Sequence, residues 1–198
     1  MTLDTLDALR ALYPPAKERS LRKQLDALDP HCRRFVAMSP FVVLASRGTD
    51  GTMDASPRGG EPGFVLAPDA HTLLLPDASG NNRLDTLENI VATGAIGMLF
   101  MLPGVDETLR VNGTARLTVD PARLALFPRA TRLVIEVRVH EVYLHCAKAL
   151  MRSKLWDAGR HVPRSALPTM GEMLKDQTRD EAPAESQAQM LARYAEDL

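Results

Sequence analysis

The sequence predicts a mainly β domain flanked by helices, an α+β arrangement in which short strands close or nearly close into a small barrel. Three observations predict it. The hydrophobic period changes from helical to alternating near residue 41. About six or seven short strand candidates follow, separated by turn-forming residues. One helix is inserted among them, and helical patterning returns after residue 145.

The first forty residues read as helical. Leu3, Leu6, Leu9 and Leu12 recur every third position, and Pro14 and Pro15 end that helix. A second helix is expected over residues 16–28 and a third over 30–38, opened by Pro30. Phe41 to Ser46 is rich in β-branched and aromatic residues and reads as a strand. Asp50-Gly51 is a hairpin dipeptide, so Met53 to Arg58 reads as the returning strand. Gly63 to Ala67 and Thr72 to Leu75 read as two further strands, joined by Pro68 to His71.

Residues 83–92 read as the inserted helix, with Leu84, Leu87 and Val91 sharing a face. Asn82 is the expected N-cap, Asp85 stands at the third helical position, and Gly94 is the stop. Ala95 to Leu102 is nearly all apolar and reads as a strand buried on both faces. Residues 108–119 alternate cleanly. Leu109, Val111, Ala115, Leu117 and Val119 face one way, and Arg110, Asn112, Thr114, Arg116 and Thr118 the other. Residues 132–145 form a second long strand. Its parity changes between Val139 and Val142, which predicts a bulge near His140–Glu141. Residues 146–155, Met170–Lys175 and Pro183–Glu196 read as helices.

At 198 residues the chain suits one domain with terminal elaborations. The expected boundaries are 1–38 for an N-terminal helical extension, 39–160 for the barrel and 161–198 for a C-terminal helical tail. Lys and Arg number 24 against 25 Asp and Glu, so no basic footprint marks nucleic acid as a partner. No apolar run is long enough to span a bilayer. The N-terminus is acidic and amphipathic rather than secretory, and a cytoplasmic protein is expected. Cys32 and Cys146 lack zinc-site spacing and read as ordinary thiols.

Four segments carry candidate chemistry. Gly80-Asn81-Asn82-Arg83 precedes a helix, whose N-terminal N–H groups and dipole favour an anion. Arg83 adds a fork suited to phosphate oxygens. The other reading is a capped helix with a solvated arginine. Asp54 to Gly60 ends a strand in small residues, so a flat ring could approach the backbone there. Arg58 offers a second anion-binding fork. An edge strand running into a loop is the other reading. Arg110 and Asn112 project from the polar face of the 108–119 strand, toward either a ligand or solvent. Lys148 and Arg152 lie four apart on one helical face, followed by Trp156, the only tryptophan. They suit an anionic partner, or a basic surface helix with a tryptophan anchored in the core. There is no Walker loop, dinucleotide glycine fingerprint, His-Glu-x-x-His motif or nucleophile elbow.

In this order the stretches "MDASPRGGEPGFV", "TLLLPDASGNNRLDTLENI", "GMLFMLPGVDETLRVNGTARL" and "HCAKALMRSKLW" resemble the pyridoxamine-phosphate-oxidase-related, FMN-binding split-barrel proteins. More narrowly they resemble a bacterial subgroup of FMN-dependent enzymes. The likeness runs from about residue 35 to about residue 160. It implies a six-stranded split barrel and a homodimer with FMN at the subunit interface. By position, Ala55 and Ser56 would lie along the flavin ring, and Asn82 and Arg83 would hold the phosphate. Thr108 falls near the ring with Arg110 on the same strand, and Lys148, Arg152 and Trp156 belong to the subgroup's C-terminal motif.

The implied activity is flavin-dependent oxidoreduction of a small-molecule substrate. The alternative is non-enzymatic binding or storage of a flavin, a deazaflavin or haem, the last needing a histidine such as His140 or His145. No metal site and no catalytic side chain is assigned. The chain departs from the vitamin B6 oxidases: "MDASPRGG" and "ETLR" replace their strand motifs, and their C-terminal arginine–histidine motif is not evident. These departures bear on the substrate rather than on FMN.

Overall fold

A computed structural model of the chain describes residues 2–195 and divides into two units, one ending at Ser153 and one beginning at Lys154. In the first unit, alternation has produced strands β1 (Phe41–Arg47), β2 (Met53–Gly59), β3 (Thr72–Pro76), β4 (Ala95–Met101), β5 (Thr108–Thr118) and β6 (Val134–His145). All neighbours are antiparallel in one six-stranded sheet, ordered β2-β1-β4-β5-β6-β3. With its flanking helices this is the split-barrel fold.

The inner face holds the core: Val42 and Leu44 of β1, Met98 and Phe100 of β4, Leu109 and Val111 of β5, and Ile135, Val137 and Val142 of β6. Helices α1 (Leu6–Arg10), α2 (Glu18–Arg22) and α3 (Pro30–Met38) precede the sheet. Helix α3 runs over the expected residues, with Asp29 Oδ1 accepting from the Cys32 N–H at 2.7 Å and Pro30 in the first turn. The expected helix 16–28 is shorter, because residues beyond it are drawn into the sheet. Leu25 exchanges backbone hydrogen bonds with Val142, 2.9 and 2.8 Å, on the half of β6 that β3 does not cover. An otherwise open strand edge is thereby satisfied.

The change of parity in β6 is a bulge at the expected place. Asn112 pairs with Glu141 and the next residue, Gly113, pairs with Val139, leaving His140 as the extra residue. Val137 and Val139 before the bulge and Val142 after it are all buried. Other expectations are corrected. Gly63 to Ala67 is no strand, since only Leu66 bridges to Leu74. Strand β4 buries one face completely, through Ile96, Met98 and Phe100, while its other face is half-buried. Val119 lies beyond the end of β5 and is exposed.

Helix α4 (Asp85–Thr93) starts two residues later than expected and is rotated. It buries Thr86, Leu87 and Ile90, and leaves Leu84 and Val91 exposed. Gly94 ends it in the left-handed conformation, φ +67°. Short helices α5 (Pro121–Leu124) and α6 (Lys148–Ser153) follow β5 and β6.

The second unit holds single turns at Ala158–Arg160 and Arg164–Ala166, then α7 (Met170–Thr178) and α8 (Gln187–Ala195). Thr169 and Glu172 form a reciprocal capping box on α7. Helix α8 begins later than the expected Pro183, because Ser186 and Gln189 cap it. Glu196 lies outside the described residues. Among the described residues no helix is long and apolar enough to cross a membrane.

The bulge requires glycine at 113: a Cβ there would sit 2.1 Å from the Arg138 carbonyl oxygen. Gly113→Ala is expected to destabilise the fold by about 3 kcal/mol, the upper range for overpacking, in urea unfolding with unchanged m-value.

Candidate functional site

Two polar constructions stand on this sheet. The first joins the edge strand β2 to the start of α4. Strand β2 tolerates Pro57 because an edge strand has a side with no ladder to satisfy. Its residues alternate, with Ala55 and Pro57 turned outward and Asp54, Ser56 and Arg58 half-buried. The Asp54 carboxylate gathers three hydroxyls: Ser56 donates at 3.2 Å, Ser46 of β1 at 3.5 Å, and Thr86 of α4 at close range. Asn89 extends the cluster by donating to Ser46 at 3.0 Å. Ser46 and Thr86 are buried, so Asp54 satisfies groups that would otherwise be stranded.

The start of α4 is unusual. Asn82 is not its N-cap. Asn82 and Leu84 both take left-handed backbone, φ +59° and +60°, and Leu84 occupies the cap position without a side-chain cap. Asn81 Oδ1 instead accepts from the Arg83 N–H at 3.1 Å. The first-turn N–H groups of α4 are thus without a side-chain acceptor. Arg83 itself is exposed and pairs with Asp85 at 2.9 Å. Asp85, with Asp54 behind it, holds the guanidinium more firmly protonated than usual. Arg58 donates to the Pro57 carbonyl at 2.9 Å.

The second construction lies on the outer face of β5 and β6. Residues paired across antiparallel strands share a face, so Thr108, Arg110 and Asn112 stand beside His145, Tyr143 and Glu141. Arg110 Nη2 donates to Glu141 Oε1 at 2.5 Å, and Asn112 Nδ2 donates to the same oxygen at 2.9 Å. The Arg110 guanidinium carbon lies 4.2 Å from the centre of the Tyr143 ring. The His145 imidazole lies 4.7 Å from that ring, and burial followed by the Arg110 and Lys23 charges pushes its pKa below the ordinary 6.5.

The expected site residues therefore fall into groups. Ala55, Ser56, Asn82 and Arg83 belong to the first construction, and Thr108 and Arg110 to the second. Registers relate the two: Pro57, Val43, Leu99, Arg110 and Tyr143 form one cross-strand row, as do Ala55, Ala45, Gly97, Asn112 and Glu141. Three strand spacings, about 14 Å, separate β2 from β5. Lys148 and Arg152 are exposed on α6, and Trp156 is half-buried in the second unit.

Sequence reading missed Asp54 and Thr86, whose only signal is polar residues at inward-facing positions. It also missed Glu141 and Tyr143 and named His145 only as a possible haem ligand, although the expected bulge already implied that all three share the face of Arg110. Cys32 is buried, and burial and the Asp29 carboxylate push its thiol up to about 12; Cys146 is exposed, and both are free.

Residues 28–146, more than half of the chain, match the family described as pyridoxamine 5'-phosphate oxidase. The chain belongs to that family. Among solved structures, a HupZ variant of Group A Streptococcus matches with a TM-score of 0.50 at 14% identity, over 60% of this chain and 99% of its own. At that identity the likeness concerns the fold. An FMN-binding protein of Syntrophomonas wolfei scores 0.45 at 11% identity, over 58% and 83%. A protein of Clostridium acetobutylicum related to general stress protein 26, of the pyridoxinephosphate oxidase family, scores 0.46 at 12%, over 58% and 85%. Those two scores are too low to add to the argument. No curated protein sequence matches the chain.

Two outcomes follow from the site. Asp54→Ala strands buried hydroxyls and is expected to cost about 2–3 kcal/mol, with amide exchange accelerated first in α4. The lowered His145 pKa means that the unfolded chain takes up a proton more readily than the folded one. Its contribution is intact above pH 6.5 and is lost as pH falls below that value. Unfolding free energies measured from pH 8 to pH 5.5, wild type against His145→Gln, should differ in slope only below about 6.5.

Proposed function

We propose that the chain is a homodimeric FMN-binding protein and a flavin-dependent oxidoreductase acting on a small molecule. One observation carries this reading: an uncapped helix start with two left-handed residues is tied through Asp54 to a free edge strand of small residues. Strained, unsatisfied backbone of this kind persists where the surrounding structure holds it, and it collects at binding sites. The α4 N–H groups and the Arg83 guanidinium fit a phosphate. The Ala55–Ser56 backbone fits the edge of a flat ring, since Ala55 leaves the approach open.

In this reading Asn82, Arg83 and the α4 N-terminus hold the phosphate, and Ala55 and Ser56 line the ring. Thr108 and Arg110 supply polar contacts near the ring, while Arg58, Lys148 and Arg152 complete the surroundings. Bound FMN supplies the capacity to accept and donate hydride. The residues of the chain anchor it, orient it and leave one face for substrate. The half-buried outer row Phe41, Val43, Leu99 and Met101 is the face offered to a second copy.

The freshly purified protein is expected to show flavin absorbance, or to take up FMN on incubation. Arg83→Ala should weaken FMN by about 1.5–3 kcal/mol in a fluorescence titration. A colourless protein that takes up no flavin overturns the reading, and an unchanged affinity removes the phosphate from Arg83.

A further inference from the structure

On the outer face of β5 and β6, two cations flank the Tyr143 ring and one carboxylate is paired with only one of them. Glu141 is already engaged by Arg110 and Asn112. A second cation, Lys23, arrives from the segment after α2, which the Leu25–Val142 bridge fixes against β6. The Lys23 ammonium donates to the Leu144 carbonyl at 2.6 Å and lies 5.0 Å from the centre of the Tyr143 ring. Lys23 makes no ion pair among the described residues. Arg110 Nε is buried and has no acceptor. The place therefore holds a buried unused donor, Arg110 Nε, beside an exposed ammonium that carries one positive charge in excess, an arrangement that suits an anion.

We infer that Lys23, Arg110, Tyr143 and His145 form a binding site for the carboxylate of a small organic molecule. On the flavin reading above, that molecule is the substrate; the carboxylate site itself does not need the flavin. Two cations against Glu141, with His145 neutral, leave a single charge to match, which suits a carboxylate. A phosphate dianion would require a proton on His145 as well. The groups facing His145 are Arg110 and Thr108 from β5, Tyr143 from its own strand, and Lys23 from the segment after α2. Burial and the two cations keep its imidazole neutral near pH 7, and an anion between them reverses the second influence.

The test uses the full chain at constant ionic strength, with benzoate as the carboxylate and inorganic phosphate as the dianion. The His145 imidazole resonance, assigned with His145→Gln, is followed by NMR. Benzoate at pH 7.5 is expected to shift it saturably and to raise its titration midpoint by about half a pH unit. Lys23→Gln should weaken benzoate about tenfold, and Lys23→Arg should restore most of the affinity. No saturable shift, or equal affinity in Lys23→Gln, overturns the site. Phosphate binding more tightly than benzoate, and more so as pH falls, overturns the carboxylate assignment. Benzoate binding by a chain that never takes up FMN supports the site and overturns the flavin reading alone; FMN uptake without a benzoate response does the reverse.

Discussion

One extra residue in β6 organises both faces of the sheet. Around His140 the register against β5 shifts by one, so residues on either side of the bulge bury their apolar side chains although their parity in sequence differs. Without it, Val142 and Leu144 would face outward and Glu141, Tyr143 and His145 would face the core. A carboxylate forced into an apolar interior costs several kcal/mol unless paired, so the slipped register is strongly disfavoured. The same bulge builds the outer cluster, because it sets Glu141 beside Arg110 and Asn112. Gly113 permits the necessary approach of the Arg138 carbonyl, which no side chain at that position would allow.

At the other edge of the sheet the organising group is the Asp54 carboxylate. It stabilises a helix start that is unfavourable by itself. Each non-glycine residue in left-handed backbone costs about 1–3 kcal/mol, and Asn82 and Leu84 are two such residues in three positions. The hydroxyl of Thr86 on Asp54 and the burial of Leu87 and Ile90 offset that cost and fix where α4 begins. The geometry leaves first-turn N–H groups without a side-chain acceptor while Arg83 stays exposed beside them. An ordinary Asn82 cap would have satisfied one of those groups and reduced the attraction for an anion.

The contrast between these two edges explains what the sequence disclosed. Alternation along residues 108–119 and the parity change at His140 are consequences of burial, which is written directly in residue type, so β5, β6 and the bulge were legible. Helix α3 was legible because Asp29-Pro30 sets its start by local chemistry. The start of α4 was not, because Asn82 is a good cap by type and only the tertiary tie between Thr86 and Asp54 moves the helix onward. Residues 63–67 have strand composition but make one bridge, Leu66 to Leu74. Lys23 was hidden for a similar reason. Its place in the outer cluster depends on Leu25 meeting Val142, a contact between residues far apart in sequence.

Both constructions sit on one hydrogen-bonded sheet, so their separation is fixed by strand spacing and cannot close by side-chain motion alone. Between them lie β1 and β4, which present Val43, Ala45, Gly97 and Leu99 outward: small or apolar residues with no charge. On that outer face the Arg110–Glu141 cluster lies at one flank and Ala55 and Pro57 at the other, while Asp54 and Ser56 point to the inner side of β2, and the middle is suited to contact. On the dimer reading, a twofold axis parallel to the strands lays a second copy across this face so that unlike flanks meet. Ala55 and Pro57 of one copy then approach the Arg110–Tyr143–Lys23 cluster of the other. A flavin held at the first flank would meet a carboxylate held at the second only in the assembled pair. That makes the uncharged centre of the sheet as necessary to the proposed chemistry as the arginines at its ends.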